Sequence, residues 1–90
     1  VDVITGIVFS NVMLAVAPSI FENQTFLVSA NAGPTAYSGE GCNPYFYAAS
    51  WQNDGLHEAA GQFATSKGYK TAVLLAPNYP AGKDALTGFK

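Results

Sequence analysis

The 90-residue sequence has no arginine, a single cysteine and a single tryptophan, and only 11% of its residues are charged. Globular domains carry about 25% charged residues, so a disordered chain swollen by its own charge is excluded. The only cations, Lys67, Lys70, Lys83 and Lys90, are scattered over the second half against six acidic residues, for a net charge of -2. That is too sparse for the cationic footprint that phosphate backbones require, so nucleic acid is not an expected partner. Long apolar runs are also missing. Val12 to Ala17 stops at Pro18, far short of the roughly 20 residues that span a bilayer, so no membrane span is expected. Cys42 can close no disulfide within one chain, which leaves it either a small half-buried thiol or a partner for a cysteine elsewhere. No glycine series matches a dinucleotide or P-loop fingerprint, no repeat is present, and no cofactor or metal is expected. Asn23-Gln24-Thr25 fits a glycosylation acceptor, a tripeptide common by chance.

What is present reads as strands alternating with helices. Val1 to Val8 is β-branched and apolar nearly throughout, as in a strand of a parallel sheet covered on both faces. Ser10 stands where an N-cap belongs. Val12, Met13, Val16, Ile20 and Phe21 then mark one side of a helix that ends near Asn23 and is bent or shortened at Pro18. Thr25 to Ser29 is a second buried strand, followed by a turn-rich loop over Ala30 to Asn43. Tyr45 to Ala49 is a short aromatic strand. Asn53 or Asp54 caps a helix with Leu56, Ala59, Ala60, Phe63 and Ala64 on one face, closed by Lys67 and Gly68. Lys70 to Ala76 reads as a further strand and Gly82 to Lys90 as a helix whose apolar repeat has only begun. The chain opens at Val1 without an initiator Met or basic leader, so it is expected to be a fragment of a longer protein.

This alternation predicts an α/β fold, a parallel sheet with right-handed crossovers and helices on both faces. Ligands of such sheets bind beyond the carboxyl ends of the strands. Three places qualify: Phe9 to Asn11, Ala30 to Gly33, and Asn78 to Gly82. Each offers small or hydrogen-bonding groups at a helix start or turn, which suits a carboxylate. An enzyme would need an activated nucleophile. Cys42 with His57, oriented by Asp54 or Glu58, is the nearest candidate. However, no cation near Cys42 in sequence depresses its pKa, His57 reads as a solvated helix residue, and Ser10 lacks the G-x-S-x-G elbow. Catalysis is therefore not expected.

Four stretches, GIVFSN at Gly6 to Asn11, VSANAGPT at Val28 to Thr35, CNPYFYAASWQND at Cys42 to Asp54 and LLAPNYPAGKDALTGFK at Leu74 to Lys90, occur in order along the whole chain. Together they resemble the periplasmic solute-binding proteins of ABC importers, of the leucine/isoleucine/valine-binding type. The nearest branch is one linked to amino acids or aromatic acids. The resemblance implies the two-lobed type I periplasmic-binding-protein fold. Residues 1–49 would then belong to the N-terminal lobe, 50–53 to the inter-lobe crossing and 54–90 to the C-terminal lobe.

The same resemblance implies roles for individual residues. Ser10 and the neighbouring amide of Asn11 would hold a ligand carboxylate. Asn31, Ala32 and Gly33 would line the ligand loop, Gly33 standing where many relatives have threonine and so offering only backbone, which leaves room for a bulkier ligand. Tyr79 would close over the ligand from the second lobe, and Trp51 would line the cleft or pack the hinge. The implied function is extracytoplasmic capture of an amino acid or aromatic carboxylate by hinge closure, read by an ABC transporter permease. A ligand-sensing receptor of the same fold is the alternative. Parts of two sheets, neither complete, also imply that the segment self-associates or needs the rest of its parent chain.

Overall fold

The computed structural model describes all 90 residues. Three short strands, β1 (Val3–Thr5), β2 (Phe26–Ser29) and β3 (Phe46–Ala48), form one sheet in the order β1-β2-β3. Both pairings are parallel, with Ile4 opposite Leu27 and Val28 opposite Tyr47. Helix α1 (Ser10–Glu22) makes the crossover from β1 to β2, and two 3-10 turns, Thr35–Tyr37 and Gly39–Gly41, lead from β2 to β3. Helices α2 (Gly55–Ser66) and α3 (Pro80–Phe89) follow.

The core lies between α1 and the sheet. Met13, Ala17 and Ile20 of α1 bury against Leu27 and Ala32, with Ile4, Ile7, Phe21, Tyr37 and Phe46 packed around them. The buried stripe of α1 is Ser10, Met13, Ala17 and Ile20. It is rotated from the expected one: Val12 and Val16 remain 44% and 38% exposed. Pro18 lies on the exposed side and the helix runs through it, because solvent there can satisfy the carbonyl that loses its donor.

The parallel sheet with helices is the α/β class expected, with three details of packing beyond it. Helix α1 covers the face of the sheet that carries Leu27. The other face carries Phe26, Tyr45 and Tyr47, whose rings touch at centroid distances of 5.4 and 6.1 Å, with Phe26 41% and Tyr47 57% exposed. Second, Lys70 to Ala76 has no regular secondary structure and pairs with no strand, and Val73 and Leu75 are each 97% exposed. A strand exists only as part of a ladder, and this segment finds no neighbour. Third, the apolar face of α2 is unpartnered, with Leu56 and Phe63 more than half exposed. Instead α2 packs on α3 through a close backbone approach, where a Cβ on Gly61 would overlap the Phe89 carbonyl. The molecule is correspondingly long, 50 × 21 × 21 Å. Its radius of gyration of 14.9 Å exceeds the roughly 12 to 13 Å of a compact domain of this length.

Candidate functional site

The loops at the carboxyl ends of β1 and β2 are tied to one another. Asn31 Nδ2 donates to the Val8 carbonyl at 2.9 Å. Ser29, fully buried at the end of β2, donates its hydroxyl to the Ala32 carbonyl and so holds the turn that follows. The first and second of the three predicted places are thereby brought side by side.

The third reaches them through Asn53. Its backbone N–H donates to the Gly33 carbonyl at 2.8 Å, and its Oδ1 accepts from the Gly33 N–H at 3.3 Å. Its Nδ2 donates to Ser10 Oγ and to Asp84 Oδ2, both at 3.0 Å. Asp84 on α3 also accepts from the Thr35 hydroxyl at 2.8 Å and the Thr35 N–H at 3.2 Å. One side chain thus joins the start of α1, the loop after β2 and the third helix. The orientation of its amide is forced, since a backbone N–H only donates and a carboxylate only accepts. No buried side-chain polar atom in the structure lacks a partner.

Around this junction lies a cavity of about 260 Å³, lined from the sheet half by Val8, Ser10, Asn31, Ala32 and Trp51. From the other half come Asn53, Leu56, His57, Pro77, Tyr79, Ala81 and Gly82. Pockets for small molecules run from about 300 to 1,000 Å³, so this one suits a small, ring-sized ligand. Of the expected site residues, Ser10, Asn31, Ala32, Trp51 and Tyr79 line it. Asn11 is exposed on α1 outside the lining. Gly33 is buried behind it, where a Cβ would lie 3.1 Å from the Trp51 carbonyl carbon and overlap its oxygen. Its place is therefore one of close backbone packing. Cys42 is exposed on the turn before β3 and does not line the cavity. No cluster of His, Cys, Asp and Glu could hold a metal ion.

The electrostatics of the wall come from backbone. No Lys, Asp or Glu lines the cavity, while the first turns of α1, α2 and α3 all contribute to it. None of the three N-caps makes a side-chain capping bond. The amides of Ser10, Asn11 and Val12 on α1, and of Ala81 and Gly82 on α3, find no protein acceptor. The amino ends of α1 and α3 therefore bring free N–H groups to a cavity of mixed polar and apolar lining, an arrangement that favours an anion.

Ser10 departs from its expected capping role. Phe9 occupies the N-cap position, Ser10 is the first helical residue and is 2% exposed, and its oxygen serves as an acceptor for Asn53. Asn53, Asp84 and Thr35 do not stand out as a unit in the sequence, because they are roughly 20 to 50 residues apart and no spacing rule links them. His57, read as a solvated helix residue, is exposed but forms part of the cavity wall. Its position in the first turn of a helix that starts just after Asn53 is the signal that could have found it.

Comparison with known proteins gives three findings. A family model described as periplasmic binding protein matches residues 1–90. The crystal structure of an ABC transporter solute-binding protein from R. palustris in complex with benzoate superposes with a TM-score of 0.90 at 30% identity. It is covered over 24% of its length by 98% of this chain. A second solute-binding protein from R. palustris, in complex with 4-hydroxybenzoate, gives a TM-score of 0.86 at 30% identity, with 99% of this chain and 24% of that one covered. This chain thus spans about a quarter of the length of the structures it matches. A comparison with curated proteins finds no match.

Proposed function

Since the chain belongs to the periplasmic binding protein family, an extracytoplasmic family of ABC transport systems that binds solutes and is not enzymatic, we propose that it forms part of the binding site for an aromatic carboxylate. The observation that carries this reading is the cavity of about 260 Å³, lined by no Lys, Asp or Glu, at which three helices begin. The carboxylate sits against the free amides of α1 and the Ser10 hydroxyl, and the ring lies among Val8, Leu56, Trp51 and Tyr79. An amino-acid ligand is the weaker reading, since the two similar solute-binding proteins of known structure hold benzoate and 4-hydroxybenzoate.

The mechanism is binding coupled to closure. Residues 1–49 act as part of one lobe, 54–90 as part of the other, and 50–53 as the crossing. A ligand touching both favours the closed arrangement by its differential affinity for it. An ABC transporter permease then receives the closed form. The test is titration of the full-length protein carrying this segment with benzoate, 4-hydroxybenzoate and leucine, followed by calorimetry and thermal shift. The aromatic acids should bind and raise the melting temperature, by a stabilisation of about 2.7 kcal/mol at a hundredfold excess over Kd. Binding of leucine with no response to either benzoate would overturn the proposal.

A further inference from the structure

We propose that Asn53 is the positioning residue of this site: its amide fills the acceptor side of the Ser10 oxygen and so commits the Ser10 hydroxyl hydrogen to the bound carboxylate. This rests on the aromatic-carboxylate reading of the cavity. A serine hydroxyl has one hydrogen to give and can turn it toward whichever acceptor is nearest. At Ser10 the oxygen is buried and accepts from Asn53 Nδ2 at 3.0 Å, while no protein atom accepts its hydrogen. Ser10 lines the cavity, so the hydrogen is left for an occupant.

The amide cannot reverse this polarity. Turning it over would set Oδ1 against the Asp84 carboxylate and Nδ2 against the Gly33 N–H, replacing two attractive contacts by two repulsive ones. Asp84 is itself held by two bonds from Thr35, so Thr35 and Asn53 both donate into its carboxylate, which fixes the Asn53 amide with Nδ2 toward Ser10. Because Asn53 stands at the crossing and Asp84 on α3, the donor at Ser10 is aligned only when the two halves keep this relation.

The polarity can be reversed by exchanging the partners. In N53D/D84N the amide now carried by α3 can donate to the carboxylate now at the crossing, and the Gly33 N–H keeps its acceptor. The net charge is unchanged, and the bond from the Thr35 amide is lost. The new carboxylate at the crossing would accept the Ser10 hydrogen and take it from the ligand. In the full-length protein, titrated with sodium benzoate, the exchange should preserve the cooperative melt yet weaken binding roughly 10- to 100-fold, the weight of one hydrogen bond to a charged group. In a Ser10→Ala background the same exchange should cost clearly less, since only the repulsion between the new carboxylate and the ligand remains once the hydroxyl is gone. Wild-type affinity in the exchanged protein, or an equal loss with and without Ser10, overturns the proposal and leaves the ligand reading standing. If the exchange does not fold, Asn53→Ala combined with Ser10→Ala carries the test: a double variant no worse than Ser10→Ala within about threefold supports the role, and additive losses refute it. A wild-type protein that does not bind benzoate at all refutes the aromatic-carboxylate reading and this proposal with it.

Discussion

Gly33→Ala tests whether the junction beneath the cavity is as close-packed as the structure has it. The added methyl group would meet the Trp51 carbonyl carbon at 3.1 Å and Gln52 Cα at 3.2 Å, and would overlap the Trp51 oxygen. These are backbone atoms and cannot rotate away, so the chain at Gly33 must move off the Trp51–Gln52 backbone. That movement strains two buried bonds, Asn53 N–H to the Gly33 carbonyl at 2.8 Å and Gly33 N–H to Asn53 Oδ1 at 3.3 Å. At about 1 kcal/mol for each bond, and about 1 to 3 kcal/mol for a buried amide left without a partner, the loss is about 3 to 5 kcal/mol. Restricting the unfolded chain returns about 0.4 to 1 kcal/mol, so the net destabilisation should be about 2 to 4.5 kcal/mol. Urea unfolding of the full-length protein should show it as a lower midpoint with an unchanged slope. Benzoate affinity should fall as well, because the displaced residues Trp51 and Asn53 both line the cavity. A variant as stable as the wild type, with undiminished benzoate binding, would refute the reasoning. Gly33→Thr, with a larger β-branched side chain, should be worse than alanine in this chain.

Three further outcomes are expected. Tyr79→Ala should reduce benzoate affinity roughly tenfold in calorimetry while leaving the unliganded melt unchanged, since the ring faces the cavity and not the core. Burial lifts the Tyr37 hydroxyl above its ordinary pKa of 10.0, the ring being wedged 5.5 Å from Phe21 and 5.2 Å from Phe46. The unfolded chain then gives up this proton first, so the stability from Tyr37 is whole below pH 10.0 and is lost as pH rises through the folded value. Tyr37→Phe should flatten this alkaline decline, and identical pH profiles would contradict it. The 90-residue segment on its own should self-associate through its unpaired apolar stretch, where Val73 and Leu75 are 97% exposed. Sedimentation should show the Val73→Lys/Leu75→Lys variant shifted toward monomer, and a strictly monomeric wild-type segment would dispose of the idea.

Reading the residues alone reaches most of the element order and misses where partners are needed. Thr25 to Ser29 and Tyr45 to Ala49 contain the strands observed, because short β-branched and aromatic runs bounded by turn residues mark strands locally. Lys70 to Ala76 has the same composition and is no strand, because pairing depends on a neighbour that composition does not reveal. The stripe of α1 escapes the sequence for a related reason. Val12 and Val16 fit a helical repeat as well as Met13 and Ala17 do, and only the position of Leu27 decides which side turns inward.

The candidate site divides in the same way. Ser10, Asn31 and Tyr79 can be chosen from sequence, since each follows an apolar run that ends in small or polar residues, and parallel sheets bind ligands at such ends. That much is local chemistry and is legible in the order of residues. Which of them share a wall, that Gly33 lies behind it and not in it, and that Asn53 points one amide at Ser10, Gly33 and Asp84 together, depended on the folded chain. Hydrogen bonds between residues 31 and 43 positions apart leave no periodic trace along a sequence. They arise only when the crossovers bring separate strand ends and helix starts to one point in space.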